Sequence, residues 1–207
     1  LDKFSPVMDD KTGRTLKQNR DLRPDYEQKD GLSLLFIGSG FKRKGLKHVI
    51  KSLALLDKNL NIRLIVAGRG RFDKYKVLAK SLGVADKVSY IGATNNVKEL
   101  YGKSDIFVFP TEYDAFPNVC LEAMAMELPV IVSRSAGVAE IIDDGVDGFV
   151  VEYPVNADEI ADRIRDLLDD KKRIKMGKAA RQKAMNYSVQ SNAEKTLELY
   201  SEICGAK

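Results

Sequence analysis

Residues 106–133 read IFVFPTEYDAFPNVCLEAMAMELPVIVS. An apolar run, IFVFP, leads into a polar bend. An apolar stretch at helical spacing, VCLEAMAME, comes next, and a second apolar run, PVIVS, closes the segment. Runs of Val, Ile, Leu and Phe without polar alternation suit strands buried on both faces. A helix between two such strands is the pattern of a right-handed crossover in a parallel sheet.

The alternation extends in both directions. LLFIG (34–38), IRLIVAG (62–68), VSYIG (88–92) and GFVV (148–151) are further apolar runs. GLKHVIKSLALL (45–56), DKYKVLAKSLGV (73–84) and NVKELYGKS (96–104) carry helical spacing between them. Three more helical patterns follow near 157–169, 171–186 and 188–203. The expected fold class is α/β: a Rossmann-like parallel sheet of about six strands flanked by helices. Residues 1–32 are polar, with turn signals at Pro6, Gly13, Pro24 and Gly31, and read as a lead-in segment. Residues 33–187 read as the domain and 188–207 as a closing helix.

A chain of 207 residues, 44% hydrophobic and 31% charged, is large enough to bury a core without staples. No apolar run approaches the ~20 residues that span a bilayer, and LDKFSP (1–6) lacks the basic-then-apolar order of a signal peptide. The 34 basic and 30 acidic residues are interspersed and leave a net charge of +4. That argues for a solvated surface over a nucleic-acid stripe. Cys120 and Cys204 have no short spacing, which fits a reducing cytoplasmic setting and offers no zinc motif. The only histidine, His48, lies in an amphipathic helical pattern, a poor place for a Ser-His-Asp triad.

In parallel sheets, ligands bind beyond the carboxyl ends of the strands. The segment after the first strand is GSGFKRKGL (38–46): Gly38, Gly40 and Gly45 with Lys42, Arg43 and Lys44 at a helix start. Free backbone N–H groups and the positive helix end make an anion site there physically sensible. It is not a P-loop, because Leu46 stands where the lysine belongs, and GxGxxG fails at Arg43. GRGRFDKYK (68–76) repeats the theme with Arg69, Arg71 and Lys74, and two basic turns on one sheet edge suit a diphosphate. The second strand ends in Ala67-Gly68-Arg69, without the acid that would hold a dinucleotide's ribose. Asp114 and Glu122 stand eight positions apart around a Phe-Pro-Asn bend. Spacing alone leaves them open as an acid–base pair, as ligand holders, or as a turn Asp and a helix-end Glu. Gly137, in SAGVAEIIDDGVDGFVV (135–151), suits close backbone approach.

Taken together, GSGFKRKGL, KYKVLAKSLGV and SDIFVFPTEYDAFPNVCLEAMAMELPVIVSRSAGVAEIIDDGVDGFVV closely resemble glycosyltransferase family four, of the two-domain GT-B fold. Within it they look most like the lipopolysaccharide-core glucosyltransferase I group. The resemblance covers nearly the whole chain and implies the C-terminal, donor-binding half of a GT-B enzyme. LDKFSP resembles the segment that follows the family's N-terminal, acceptor-binding domain, and the last helices resemble its closing segment.

The resemblance also implies roles. Arg43, Lys44 and Lys74 would neutralise the donor diphosphate beside Gly38 and Gly40, and Glu122 would hold the ribose hydroxyls. Asp114 would meet the hexose, with the N–H groups of Phe116, Asn118 and Val119 nearby. The implied reaction is a retaining hexosyl transfer, without a required cofactor or bound metal. It carries glucose from UDP-glucose to a lipopolysaccharide-core or related glycan, at the cytoplasmic face of a membrane. The isolated domain would be inactive. Ser39 replaces the family's usual arginine, and Asp114 is one methylene shorter than the usual Glu. A nicotinamide oxidoreductase, a nucleotide-sugar epimerase on the same scaffold and a non-catalytic binding module are the rival readings.

Overall fold

The computed structural model describes residues 31–205; the side chain of Val189 lies outside that description, as does nearly all of the expected lead-in segment. Among the described residues, six strands form one parallel sheet: β1 (Leu32–Ile37), β2 (Ile62–Ala67), β3 (Val88–Gly92), β4 (Ile106–Phe109), β5 (Val130–Ser133) and β6 (Gly148–Val151). The spatial order is β3-β2-β1-β4-β5-β6. Helices α1 (Leu46–Ala54), α2 (Asp73–Ser81), α3 (Val97–Gly102) and α4 (Asn118–Ala125) connect the first five strands. Helices α5 (Ala157–Asp166), α6 (Asp170–Met185) and α7 (Val189–Gly205) follow β6.

The apolar runs divide by alternate residues, as a pleated strand requires. Leu34, Phe36, Leu64, Val66, Ile106 and Val108 face one side, with Leu46, Val49, Ile50 and Leu53 of α1 and Ile160 and Ile164 of α5. Leu35, Ile37, Ile65, Phe107 and Phe109 face the other, with Leu100 and Tyr101 of α3, Leu121 and Met124 of α4 and Ala180 of α6. Both faces are therefore dry, which is why the strands lack polar alternation. The apolar stripe of α1 recurs at three- and four-residue steps and fixes which side of that helix packs down.

The later helices carry their own start signals. The Asn156 side chain accepts from the Asp158 N–H at 3.0 Å before α5, and Asp169 accepts from the Lys171 N–H at 2.8 Å before α6. α6 lies close on the turn after α4: a methyl group at Gly177 would stand 2.1 Å from the Glu127 carbonyl oxygen. None of the described side chains of α7 joins either core, and Leu197, Leu199, Tyr200 and Ile203 on it are exposed. No helix among the described residues is long and apolar enough to cross a membrane.

Candidate functional site

The order 3-2-1 followed by 4-5-6 makes β1 and β4 neighbours whose connections leave in opposite directions. The region beyond their carboxyl ends is where ligands bind in such sheets. Two loops lie there, the glycine-rich loop 38–45 and the loop 110–117. They meet through main chain. Gly45 has φ +79°, and a Cβ on it would stand 1.9 Å from the Pro110 carbonyl oxygen. Only glycine fits on both counts.

Across this seam the Lys44 amine forms an ion pair with Asp114 Oδ2. The lysine is buried, and its Nζ lies 4.9 Å from the centre of the Phe109 ring. Burial, and next the charge of Arg43, hold the amine below the usual lysine range. The backbone of Asp114 is fixed from its other side: the Gly137 N–H donates to its carbonyl at 2.8 Å. A Cβ on Gly137 would come within 1.7 Å of the Ala115 carbonyl oxygen. Buried Thr111 fastens the base of the loop. Its hydroxyl faces the carbonyls of Arg43 and Tyr113 at 3.1 and 3.0 Å. Its own carbonyl accepts from the hydroxyls of Ser133 and Ser135.

On the other side of loop 38–45 an open cleft of about 780 Å³ is bordered by Gly40 and by four cations, Lys42, Arg43, Arg71 and Lys74, against two acids, Asp73 and Glu112. The excess of positive charge suits an anion. Its floor includes Phe41, whose ring stacks on Phe72 at 5.0 Å and meets Tyr75 edge-on at 5.8 Å. The exposed Arg43 guanidinium donates to the Tyr113 carbonyl, linking the cleft to the loop that carries Asp114. Lys74 stands in the first turn of α2, its amine 5.0 Å from the Tyr75 ring centre.

Pro117 precedes α4, so Asn118 and Val119 occupy the first turn, where N–H groups have no intrahelical acceptor. Phe116 is exposed, its ring centre 6.4 Å from that of Tyr187. Glu122 lies one turn further in, half-buried, and its Oε2 accepts from the Tyr101 hydroxyl at 3.0 Å.

The expected residues thus gather in three places on one sheet edge. Gly40, Arg43 and Lys74 border the cleft. Lys44 and Asp114 close the seam, where a Cβ on Gly38 would touch the Lys44 side chain at 3.5 Å. Phe116, Asn118, Val119 and Glu122 sit at the start of α4. Lys44, expected to act with Arg43 and Lys74, is adjacent to Arg43 in the chain and pairs with Asp114. Pairing with an acid satisfies an amine this deeply buried.

Residues 18–183 match the family model described as Glycosyl transferases group 1. The chain belongs to the group 1 glycosyl transferases. It is 38% identical over 146 residues to the uncharacterized glycosyltransferase MJ1607 of Methanocaldococcus jannaschii, covering 69% of this chain and 37% of that protein. It is 34% identical over 153 residues to the lipopolysaccharide glucosyltransferase WaaG of Escherichia coli, covering 70% of this chain and 41% of WaaG. The crystal structure of WaaG superposes with a TM-score of 0.75 at 31% identity, over 83% of this chain and 47% of that one. The group 1 fold seen here is therefore the C-terminal half of a GT-B architecture, and the chain spans about half the length of such relatives.

Within this group 1 domain, sequence reasoning missed Tyr101, Thr111, Ser133 and Ser135. Tyr101 sits in a helical pattern and reads as core; its polar partner lies on another helix. Thr111 and Ser135 look like loop polarity, and Ser133 like the end of an apolar strand, until the strand order brings them together. Among the described residues, no three or more His, Cys, Asp or Glu side chains are placed to hold a metal ion.

Proposed function

We propose that this chain is the donor-binding half of a retaining hexosyltransferase that carries glucose from UDP-glucose to a lipopolysaccharide-core or related glycan acceptor. The observation that carries the reading is the cationic cleft set beside the Lys44–Asp114 seam at the switch point of the sheet. A nucleoside diphosphate laid along that edge has its phosphates by Arg43 and Lys74, its ribose by Glu122 and its hexose by Asp114. The kinship with WaaG supports glucose as the sugar and a lipopolysaccharide glycan as the acceptor.

In this reading, charge accumulates on the departing diphosphate as its bond to the sugar breaks. Arg43 and Lys74 supply positive charge beside the phosphates, and the N-terminal N–H groups of α4 supply donors, where that charge develops. Lys44 links the two functions, because its amine lies under the carboxylate that meets the hexose. The acceptor belongs to the rest of the longer protein, at the cytoplasmic face of a membrane, and transfer requires both halves.

Calorimetric titration of the 207-residue chain with UDP tests donor binding. Saturable binding at or below millimolar concentration is expected. A folded chain that takes up no heat from UDP or GDP at millimolar ligand rules the reading out. Turnover of a panel of nucleotide sugars by the longer protein then tests glucose and UDP, with another preferred donor overturning that part.

A further inference from the structure

Tyr101 has no exposed surface. Its ring packs against Phe107, with centres 5.9 Å apart, so the position of its hydroxyl is fixed by the core. That hydroxyl lies 3.0 Å from Glu122 Oε2 and 3.1 Å from the Val119 carbonyl oxygen. A phenol has one proton to give, so these two acceptors on α4 compete for it. Val119 has helical N–H partners further along α4 and does not depend on the phenol. Burial, reinforced by the neighbouring Glu122 charge, raises the phenol well above its usual titration range, so it remains a donor at neutral pH.

We infer that Tyr101 is a positioning residue for nucleotide recognition. Its buried hydroxyl holds Glu122 in the one orientation that presents the carboxylate to the ribose diol of a bound nucleoside diphosphate. The inference rests on the reading of Glu122 as the ribose-holding group. It adds a physical device: a long carboxylate side chain is ordered before the ligand arrives, which lowers the entropic cost of binding. When the diol donates to Glu122, the phenol can shift its proton toward Val119 without losing a partner.

Calorimetry of the 207-residue chain with UDP and with dideoxy-UDP, which lacks both ribose hydroxyls, tests the inference. The GDP pair replaces them where GDP binds more tightly. Glu122→Gln is expected to lose about 10- to 100-fold in UDP affinity and to bind dideoxy-UDP unchanged. Tyr101→Phe is expected to lose about three- to tenfold for UDP alone, and to add nothing in the Glu122→Gln background. Equal loss for UDP and dideoxy-UDP, or no loss, in Tyr101→Phe overturns the positioning role while leaving Glu122 in place. If Glu122→Gln does not change the preference for UDP over dideoxy-UDP, the Glu122 reading itself falls, and the inference with it. Absence of any nucleotide binding has the same result. Should Tyr101→Phe fail to fold, the ring-carbon NMR signal beside the Tyr101 hydroxyl in the unmodified chain decides. It moves on adding UDP and not on adding dideoxy-UDP; no movement overturns the inference.

Discussion

Lys44 and Asp114 are 70 positions apart in the chain, yet their side chains pair beyond the ends of the neighbouring strands β1 and β4. Their side chains keep 11% and 18% of their exposure, so solvent screens the pair only weakly. Removing one partner leaves the other charge poorly solvated. Lys44→Met and Asp114→Asn should each lower unfolding stability by about 1–3 kcal/mol. The double variant should cost less than their sum, by about 0.5–3 kcal/mol of coupling. Urea unfolding of all four proteins checks this, and additive single losses would mean that the pair contributes nothing.

Gly137→Ala should damage both stability and nucleotide-sugar binding. The added methyl meets a main-chain oxygen of the loop that carries Asp114, and neither side has a flexible end to yield. Relief requires moving that loop, at about 1–3 kcal/mol. Thermal melting and UDP-glucose titration should show both losses together; a variant with wild-type melting and binding would mean that the loops are loosely joined.

Arg43→Ala and Lys74→Ala should each weaken UDP binding about tenfold without a change in melting temperature, since both side chains are exposed and, in the proposed reading, meet the diphosphate. Affinity of the unaltered chain should fall with added salt, and each variant should show a shallower dependence. Lys80→Ala, an exposed lysine in the last turn of α2, serves as the control. Losses of equal size in that control would move the anion site away from the cleft.

Asp147 supplies a pH test away from the cleft. Its side chain is buried in the turn before β6, accepts from the Asp143 N–H at 2.9 Å and lies 3.3 Å from the Lys183 amine. Burial raises its pKa above the ordinary value, against the lowering effects of the Asp143 N–H and Lys183. A carboxyl with a raised folded pKa favours the native state while protonated. That contribution is lost as pH rises from the unfolded value near ~4 through the folded one. The stability of Asp147→Asn relative to the unaltered chain should therefore increase over that window. Melting curves from pH 4 to 7 measure it, and a difference that stays flat or reverses refutes the assignment.

The sheet was legible because strands buried on both faces must be apolar throughout; LLFIG, IRLIVAG and IFVFP declare themselves one at a time. The helices between them were legible from spacing, as with Leu46, Val49, Ile50 and Leu53 of α1. The site was only partly so. Glycines and cations after a strand mark an edge where ligands bind, and Gly40, Arg43 and Lys74 do border one cleft. Which cation meets which acid depends on strand order, and nothing local to Lys44 announces Asp114. The Tyr101–Glu122 contact was hidden for a related reason: both residues fit helical patterns, and only packing of α3 beside α4 shows that a core ring also carries a polar contact.

The Asp114 loop is held by main chain and by a few buried hydroxyls: the Gly137 N–H on the Asp114 carbonyl, the Glu112 N–H on the Arg43 carbonyl, and Thr111 between the Ser133 and Ser135 hydroxyls and the Arg43 and Tyr113 carbonyls. Such a frame depends on its glycines and buried hydroxyls more than on the exposed side chains mounted on it. The side chains of Glu112, Tyr113 and Phe116 are exposed on this loop, with the Phe116 ring near Tyr187. Substitution at these positions can redraw the surface offered to a sugar while leaving the path of the chain intact. In the proposed reading, a scaffold of this kind can acquire a new donor preference through one or two exchanges at its exposed positions.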